Sequence, residues 1–168
     1  TIGSFAFASC LKLTGARIPE GVPSIGSFAF HHCKSLNRVE IHDKVTSIGN
    51  GAFHGCVSLA SLLLPAKLTS IGNNAFRDCT RLTGLTLPGK LTTIGKEGFR
   101  GCSGLTSLSI PDSVTTIADH AFAECAGLTQ VRLSNIITSI GSFAFSGCRQ
   151  LKELAIPEKV TSFGTGAF

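Results

Sequence analysis

The stretch Ile71-Gly72-Asn73-Asn74-Ala75-Phe76-Arg77-Asp78-Cys79, continued by Leu82, Leu85, Leu87 and Pro88, returns along the whole chain at a fixed interval. Cysteine stands at Cys10, Cys33, Cys56, Cys79, Cys102, Cys125 and Cys148, always 23 residues apart. A phenylalanine column keeps the same interval through Phe7, Phe30, Phe53, Phe76, Phe99, Phe122, Phe145 and Phe168. Isoleucine repeats from Ile2 to Ile140, and Phe163 continues that column. No insertion breaks the register. The unit reads I-G-x-x-A-F-x-x-C-x-x-L-x-x-L-x-L-P-x-x-[VL]-T-[ST], in seven nearly complete copies with an eighth that stops at Phe168.

Two periodicities divide each unit. Ile48, Ala52, Phe53, Cys56 and Leu59 are spaced by 4, 1, 3 and 3, which gathers them on the inner side of a short helical or 3₁₀ turn. Leu62-x-Leu64, like Leu85-Thr86-Leu87 and Leu108-Ser109-Ile110, alternates with period two, as a strand with one buried face does. Pro65, Pro88, Pro111 and Pro157 end these strands because proline has no N–H to give a sheet. A second extended stretch, such as Val114-Thr115-Thr116-Ile117, leads into a glycine column that implies positive φ or a close backbone approach. One such unit cannot bury its apolar side alone, so the copies must stack into a solenoid cored by side-chain ladders. Residues 1–168 are therefore expected to be one solenoid domain, cut from a longer protein.

Composition agrees and excludes several classes. An apolar content of 43% is too high for a disordered chain, and no run of about 18 apolar residues could span a bilayer. Thr1 does not open a charged and then apolar signal segment. The absence of Met, Trp and Tyr, and the standing of eight of the 12 Phe in one column, follow from one template copied repeatedly. The seven Cys, an odd number with no C-x-x-C, cannot all pair within the chain and suggest neither a zinc ribbon nor a redox pair. They read as buried free thiols. There is no G-x-S-x-G, H-E-x-x-H, P-loop or dinucleotide fingerprint, so neither an enzyme nor a cofactor is expected.

The pairing of I-G-x-x-A-F-x-x-C with L-x-x-L-x-L-P at a constant 23 resembles the BspA-like class of leucine-rich repeats, found in surface and secreted proteins of bacteria and some protists. The resemblance covers the entire chain. It implies a right-handed, curved coil with a parallel β-sheet on one face and short turns and strands on the other, located at the cell surface or secreted. The use it implies is adhesion or binding of a protein partner, such as a host extracellular-matrix or surface protein. Departures are few: Ala118 stands for the Gly, Gly98 for the Ala, and His42 and Ser134 for the Pro, and they bear on local turn geometry, not on the fold.

Function must then lie in the residues that do not repeat. Strand alternation sends Arg38, Glu40, His42, Leu63, Thr86, Ser107, Ser109, Gln130 and Arg132 to the outer side of the sheet, where they vary from copy to copy. This face is the expected site for a macromolecular partner. A second candidate is a basic stripe of His31, His54, Arg77 and Arg100, which share one repeat position and would suit an acidic glycosaminoglycan. A third reading is a spacer that self-associates through uncapped ends. Nucleic acid is not expected, since no binding module or row of exposed aromatics is present. His31 and His54 are expected to be coil-to-coil neighbours, but two imidazoles with no carboxylate at the same repeat position fall short of a metal set, so no metal site is expected.

Overall fold

The computed structural model describes all residues from Thr1 to Phe168. It is a parallel β-solenoid in which each 23-residue copy makes one coil; coils are numbered here from Ile2, Ile25, Ile48, Ile71, Ile94, Ile117 and Ile140. Strands lie on two faces. On the first, β1 (Gly15–Arg17) pairs with β3 (Arg38–Glu40) and β7 (Ser107–Ser109) with β9 (Gln130–Arg132), while coils three and four meet through a Ser61–Gly84 bridge. On the second, β2 (Ser24–Ile25), β4 (Ser47–Ile48), β5 (Ser70–Ile71) and β6 (Thr93–Ile94) form one sheet. A further sheet there joins β8 (Thr116–Ile117), β10 (Ser139–Ile140) and β11 (Ser162–Phe163). Every pairing is parallel and in register at 23 residues, for example Ser47 with Ser70.

The segment expected to be a helical or 3₁₀ turn is a series of separate tight turns instead. Within it, alternate amides do different work. Ala75, Arg77 and Cys79 donate to Gly72, Asn74 and Phe76 three residues back, as a 3₁₀ helix would, but Asn74, Phe76 and Asp78 donate to Lys96, Gly98 and Arg100 of the next coil. Turning every second N–H outward requires a left-handed residue at the fourth and eighth positions of the unit. All such positions have positive φ, including Phe28 (58°), His32 (55°), Asn74 (56°) and Asp78 (58°), while Gly51, Gly55 and Gly101 supply it without a Cβ penalty. A non-glycine residue there costs about 1–2 kcal/mol, which the intercoil bond and the stacking offset.

Between the faces runs one core of 42 buried residues from Ile18 to Ala167. The phenylalanine column is a stack: Phe30, Phe53, Phe76 and Phe99 lie with ring centres 5.2–5.3 Å apart and planes within 6°. Such aromatic pairs contribute about 0.5–1.5 kcal/mol beyond their buried area. The thiols form a second ladder, those from Cys33 to Cys148 each donating to the phenylalanine carbonyl of the preceding coil, as Cys56 Sγ does to Phe30 O at 3.1 Å and Cys102 Sγ to Phe76 O at 3.0 Å. All are free; Cys33 to Cys125 are buried, Cys148 is half-buried and Cys10 is exposed. Burial drives the Cys56 thiol up to about 12 and that of Cys148 to about 11, so neither ionises near neutral pH. A threonine ladder ties the second face, with Thr69 Oγ1 donating to Thr46 O at 3.0 Å and Thr92 Oγ1 to Thr69 O at 3.1 Å.

The glycine column serves close approach, not positive φ. A Cβ on Gly72 would lie 2.6 Å from the Asn50 nitrogen and 2.7 Å from the Gly49 carbonyl carbon. That approach lets Gly72 N–H reach Ile48 O at 2.9 Å, as Gly49, Gly95 and Gly141 do on their own neighbours. Ala118 is the exception, and the second face divides there. Ala118 N–H makes no bond to Ile94 O, Thr115 N–H makes none to Thr92 O, and β6 and β8 are unpaired. The extra methyl holds the two coils apart on that face, while Phe99 N–H still reaches Ala121 O at 2.9 Å on the turn side.

Two outcomes follow. Ala118→Gly restores the missing bond: amide exchange at residue 118 slows and Tm holds or rises, although Gly ordinarily costs about 0.5–1 kcal/mol against Ala; a fall of the ordinary size would contradict this account. In native protein a thiol reagent labels Cys10 rapidly and the buried cysteines only after unfolding; rapid labelling of several would contradict the buried ladder.

Candidate functional site

The strand-bearing first face is not closed evenly. Coils pair there as first with second, third with fourth and fifth with sixth, and no strand pairing bridges the second to the third, the fourth to the fifth or the sixth to the seventh. Open grooves occupy the last two of these intervals. The first, about 500 Å³, is lined by Leu85, Thr86, Leu87, Ser107, Leu108, Ser109, Pro111, Gln130 and Arg132. A second of about 680 Å³ continues from Gln130 and Arg132 to Asn135, Ile156, Glu158 and Lys159. Arg132 stands where the two meet, exposed and without an ion-pair partner.

Five of the residues chosen from strand alternation are therefore brought together: Thr86, Ser107, Ser109, Gln130 and Arg132. Leu63 stands apart on coil three, 81% exposed. Arg38 and Glu40 are ion-paired on one strand, and Arg17 Nε lies 3.7 Å from Glu40, so one carboxylate serves two guanidiniums. His42 is half-buried at the turn after its strand; its Nδ1 accepts the Lys44 N–H at 3.0 Å while its buried Nε2 has no partner. It belongs with Arg17, Glu20 and Glu40 around a separate recess of about 430 Å³. The sequence reading omitted Ile156, Glu158, Lys159 and Arg17 from this face. Arg17 is the register partner of Glu40 across β1 and β3, and aligning those two copies would have exposed it.

The turn face corrects the expectation of a free basic stripe. Arg77 Nη1 meets Glu97 at 2.6 Å and its Nε lies 3.4 Å from Asp78. Arg100 bonds Glu124 at 2.7 Å and Glu97 at 3.2 Å. His54 Nε2 lies 3.5 Å from Asp78. The carboxylates come from the fourth and eighth positions of the unit, those with positive φ, and they neutralise the arginines between them. A glycosaminoglycan would have to displace these pairs.

The two-imidazole expectation is also corrected. His31 and His54 are neighbours with ring centres 5.0 Å apart, and His32 turns back to join them, 4.0 Å from His31 and 5.2 Å from His54. Adjacent residues usually diverge; the left-handed backbone at His32 brings its ring over Gly55, where a Cβ would lie 2.2 Å from its Nδ1. Burial, with the neighbouring imidazoles of His32 and His54, pulls the His31 pKa below its ordinary value. Burial, followed by His32 and Arg77, does the same to His54 against the opposing pull of Asp78.

The chain matches the family described as BspA type leucine rich repeat region, in six copies over residues 1–126 and 71–168. It belongs to that family. Among solved structures it is similar to a leucine-rich repeat protein from Bacteroides ovatus, 36% identical with a TM-score of 0.93, covering 97% of this chain and 43% of that one. It also resembles the leucine rich repeat protein of T. pallidum, 33% identical with a TM-score of 0.81, over 90% of this chain and 71% of that one. A protein of Faecalibacterium prausnitzii described as a leucine rich cell surface protein is 34% identical, with a TM-score of 0.84, over 93% of this chain and 45% of that one. No match was found among curated protein sequences. The chain thus spans less than half of the Bacteroides and Faecalibacterium proteins. No helix is long and apolar enough to cross a membrane.

Proposed function

We propose that the chain is a non-enzymatic recognition module of a cell-surface or secreted protein, and that it binds a protein partner through the grooves of the sheet face. The observation that carries this reading is the position of Arg132. It is an unpaired guanidinium at the junction of two open grooves, flanked by Ser107, Ser109 and Gln130, on a face whose residues vary while the core repeats. Arginine is a frequent energetic anchor of protein interfaces because it combines a flat apolar surface with several donors. The small hydroxyl residues beside it leave room for a partner's side chains and offer hydrogen bonds. Membership of a family of repeat scaffolds, and a structural neighbour described as a cell surface protein, support the same reading.

The test is binding to an immobilised preparation of extracellular-matrix proteins, followed by surface plasmon resonance. Arg132→Glu is expected to weaken binding at least about tenfold, in the range of an interface anchor. Arg77→Gln and Arg100→Gln, on the turn face, are expected to leave it unchanged. Equal binding by Arg132→Glu, or no binding by the unmodified chain, would overturn the proposal.

A further inference from the structure

We propose that His31, His32 and His54 form a zinc site that clips the second coil to the third. Each histidine offers one ring nitrogen, and the three nitrogens lie within 4.8 Å of one another. In a tetrahedral zinc site with bonds of about 2.0–2.1 Å, ligand nitrogens sit about 3.3 Å apart, so small side-chain rotations complete the geometry. Three imidazoles leave a fourth position for water, a usual arrangement for an accessible zinc. The rings are half-buried, which leaves an entry path from solvent and holds their orientations by packing. No thiol belongs to the cluster. A purely nitrogen donor set suits zinc, copper or nickel and disfavours calcium and magnesium, which take oxygen.

The surroundings fit the same assignment. Asp78 Oδ2 lies 3.5 Å from His54 Nε2, where a carboxylate can orient a ligating ring in the way common beside zinc. Phe28 packs edge-on to His31 with ring centres 5.5 Å apart and fixes it from the other side. The coincidence of residues is also specific. Elsewhere the position of His31 and His54 holds Ala8, Arg77, Arg100, Ala123 and Ser146, and the position of His32 holds Ser9, Gly55, Asp78, Gly101, Glu124 and Gly147. His32 keeps an imidazole at a left-handed backbone position that Gly55, Gly101 and Gly147 fill in other coils.

Those alternatives supply variants that the fold already accepts. Metal-free protein carrying Cys10→Ser, which removes the exposed thiol, is titrated with zinc alone by calorimetry and with cobalt by visible absorption. One zinc per chain and a tetrahedral cobalt spectrum are expected, together with a higher Tm in zinc. His32→Gly and His54→Ser, with circular dichroism unchanged, are expected to lose binding at least about tenfold; Asp78→Asn, which keeps a residue suited to positive φ, loses about 10- to 100-fold as an orienting partner. His120→Ala, remote from the cluster, binds as the parent does. Absence of saturable zinc binding, or undiminished affinity in His32→Gly, would overturn the assignment.

Discussion

Everything in this molecule depends on the hydrogen bonds that alternate amides of the turn send to the next coil. Asn74, Phe76 and Asp78 reach Lys96, Gly98 and Arg100 at 2.8 Å, and the corresponding residues of the first to third, fifth and sixth coils make the same three bonds. These bonds fix the distance between coils and allow no slippage, since a shift of one residue would exchange donors that face inward with donors that face outward. They set the spacing at which phenylalanine rings stack and thiols find a carbonyl. They also impose left-handed backbone at two places per unit, and from that follow the placement of His32 and the routing of Asp78, Glu97 and Glu124 onto the arginines.

The unit was readable because the core is a column problem. Phe76, Cys79 and Leu82 recur at 23, and stacking makes each the neighbour of its own copy, so sequence identity becomes spatial contact. The helical reading of the turn failed for a definable reason. The spacing of Phe53, Cys56 and Leu59 by threes fits both a 3₁₀ helix and a string of separate turns, because both use bonds to the third residue back. The deciding bonds run between coils, and no local pattern contains them. A positional clue did exist: Gly51, Gly55, Gly101, Gly147 and Gly166 fall at the fourth and eighth positions, interchanged there with Asn74 and Asp78, residues tolerant of positive φ.

The surface was read less fully. Arg77 and Arg100 were correctly placed in one row, but a row shows only like residues, and the acids that pair with them lie in other rows. Seen alone, each column suggested a charge that the assembled surface does not carry. His32 escaped for a similar reason, since only its backbone conformation carries it from its own position towards His31 and His54. On the sheet face, alternation identified which side chains point outward. It could not show where strand pairing lapses between coils, or that Thr86, Ser109 and Arg132 line one open groove.

The single departure at Ala118 shows how narrow the tolerance is: one methyl in the glycine column interrupts the second face while the turns beside it remain bonded. If intercoil register governs the fold, the most direct measurement compares two deletions by thermal unfolding followed by circular dichroism. Removing Ile71 to Thr93, one whole 23-residue coil, is predicted to leave a cooperative β-rich protein with a proportionately smaller unfolding enthalpy. Removing Asn74 alone is predicted to lower Tm far more, because every bond from that coil to its neighbours is then out of step. A single deletion tolerated as well as the loss of a whole coil would contradict the account.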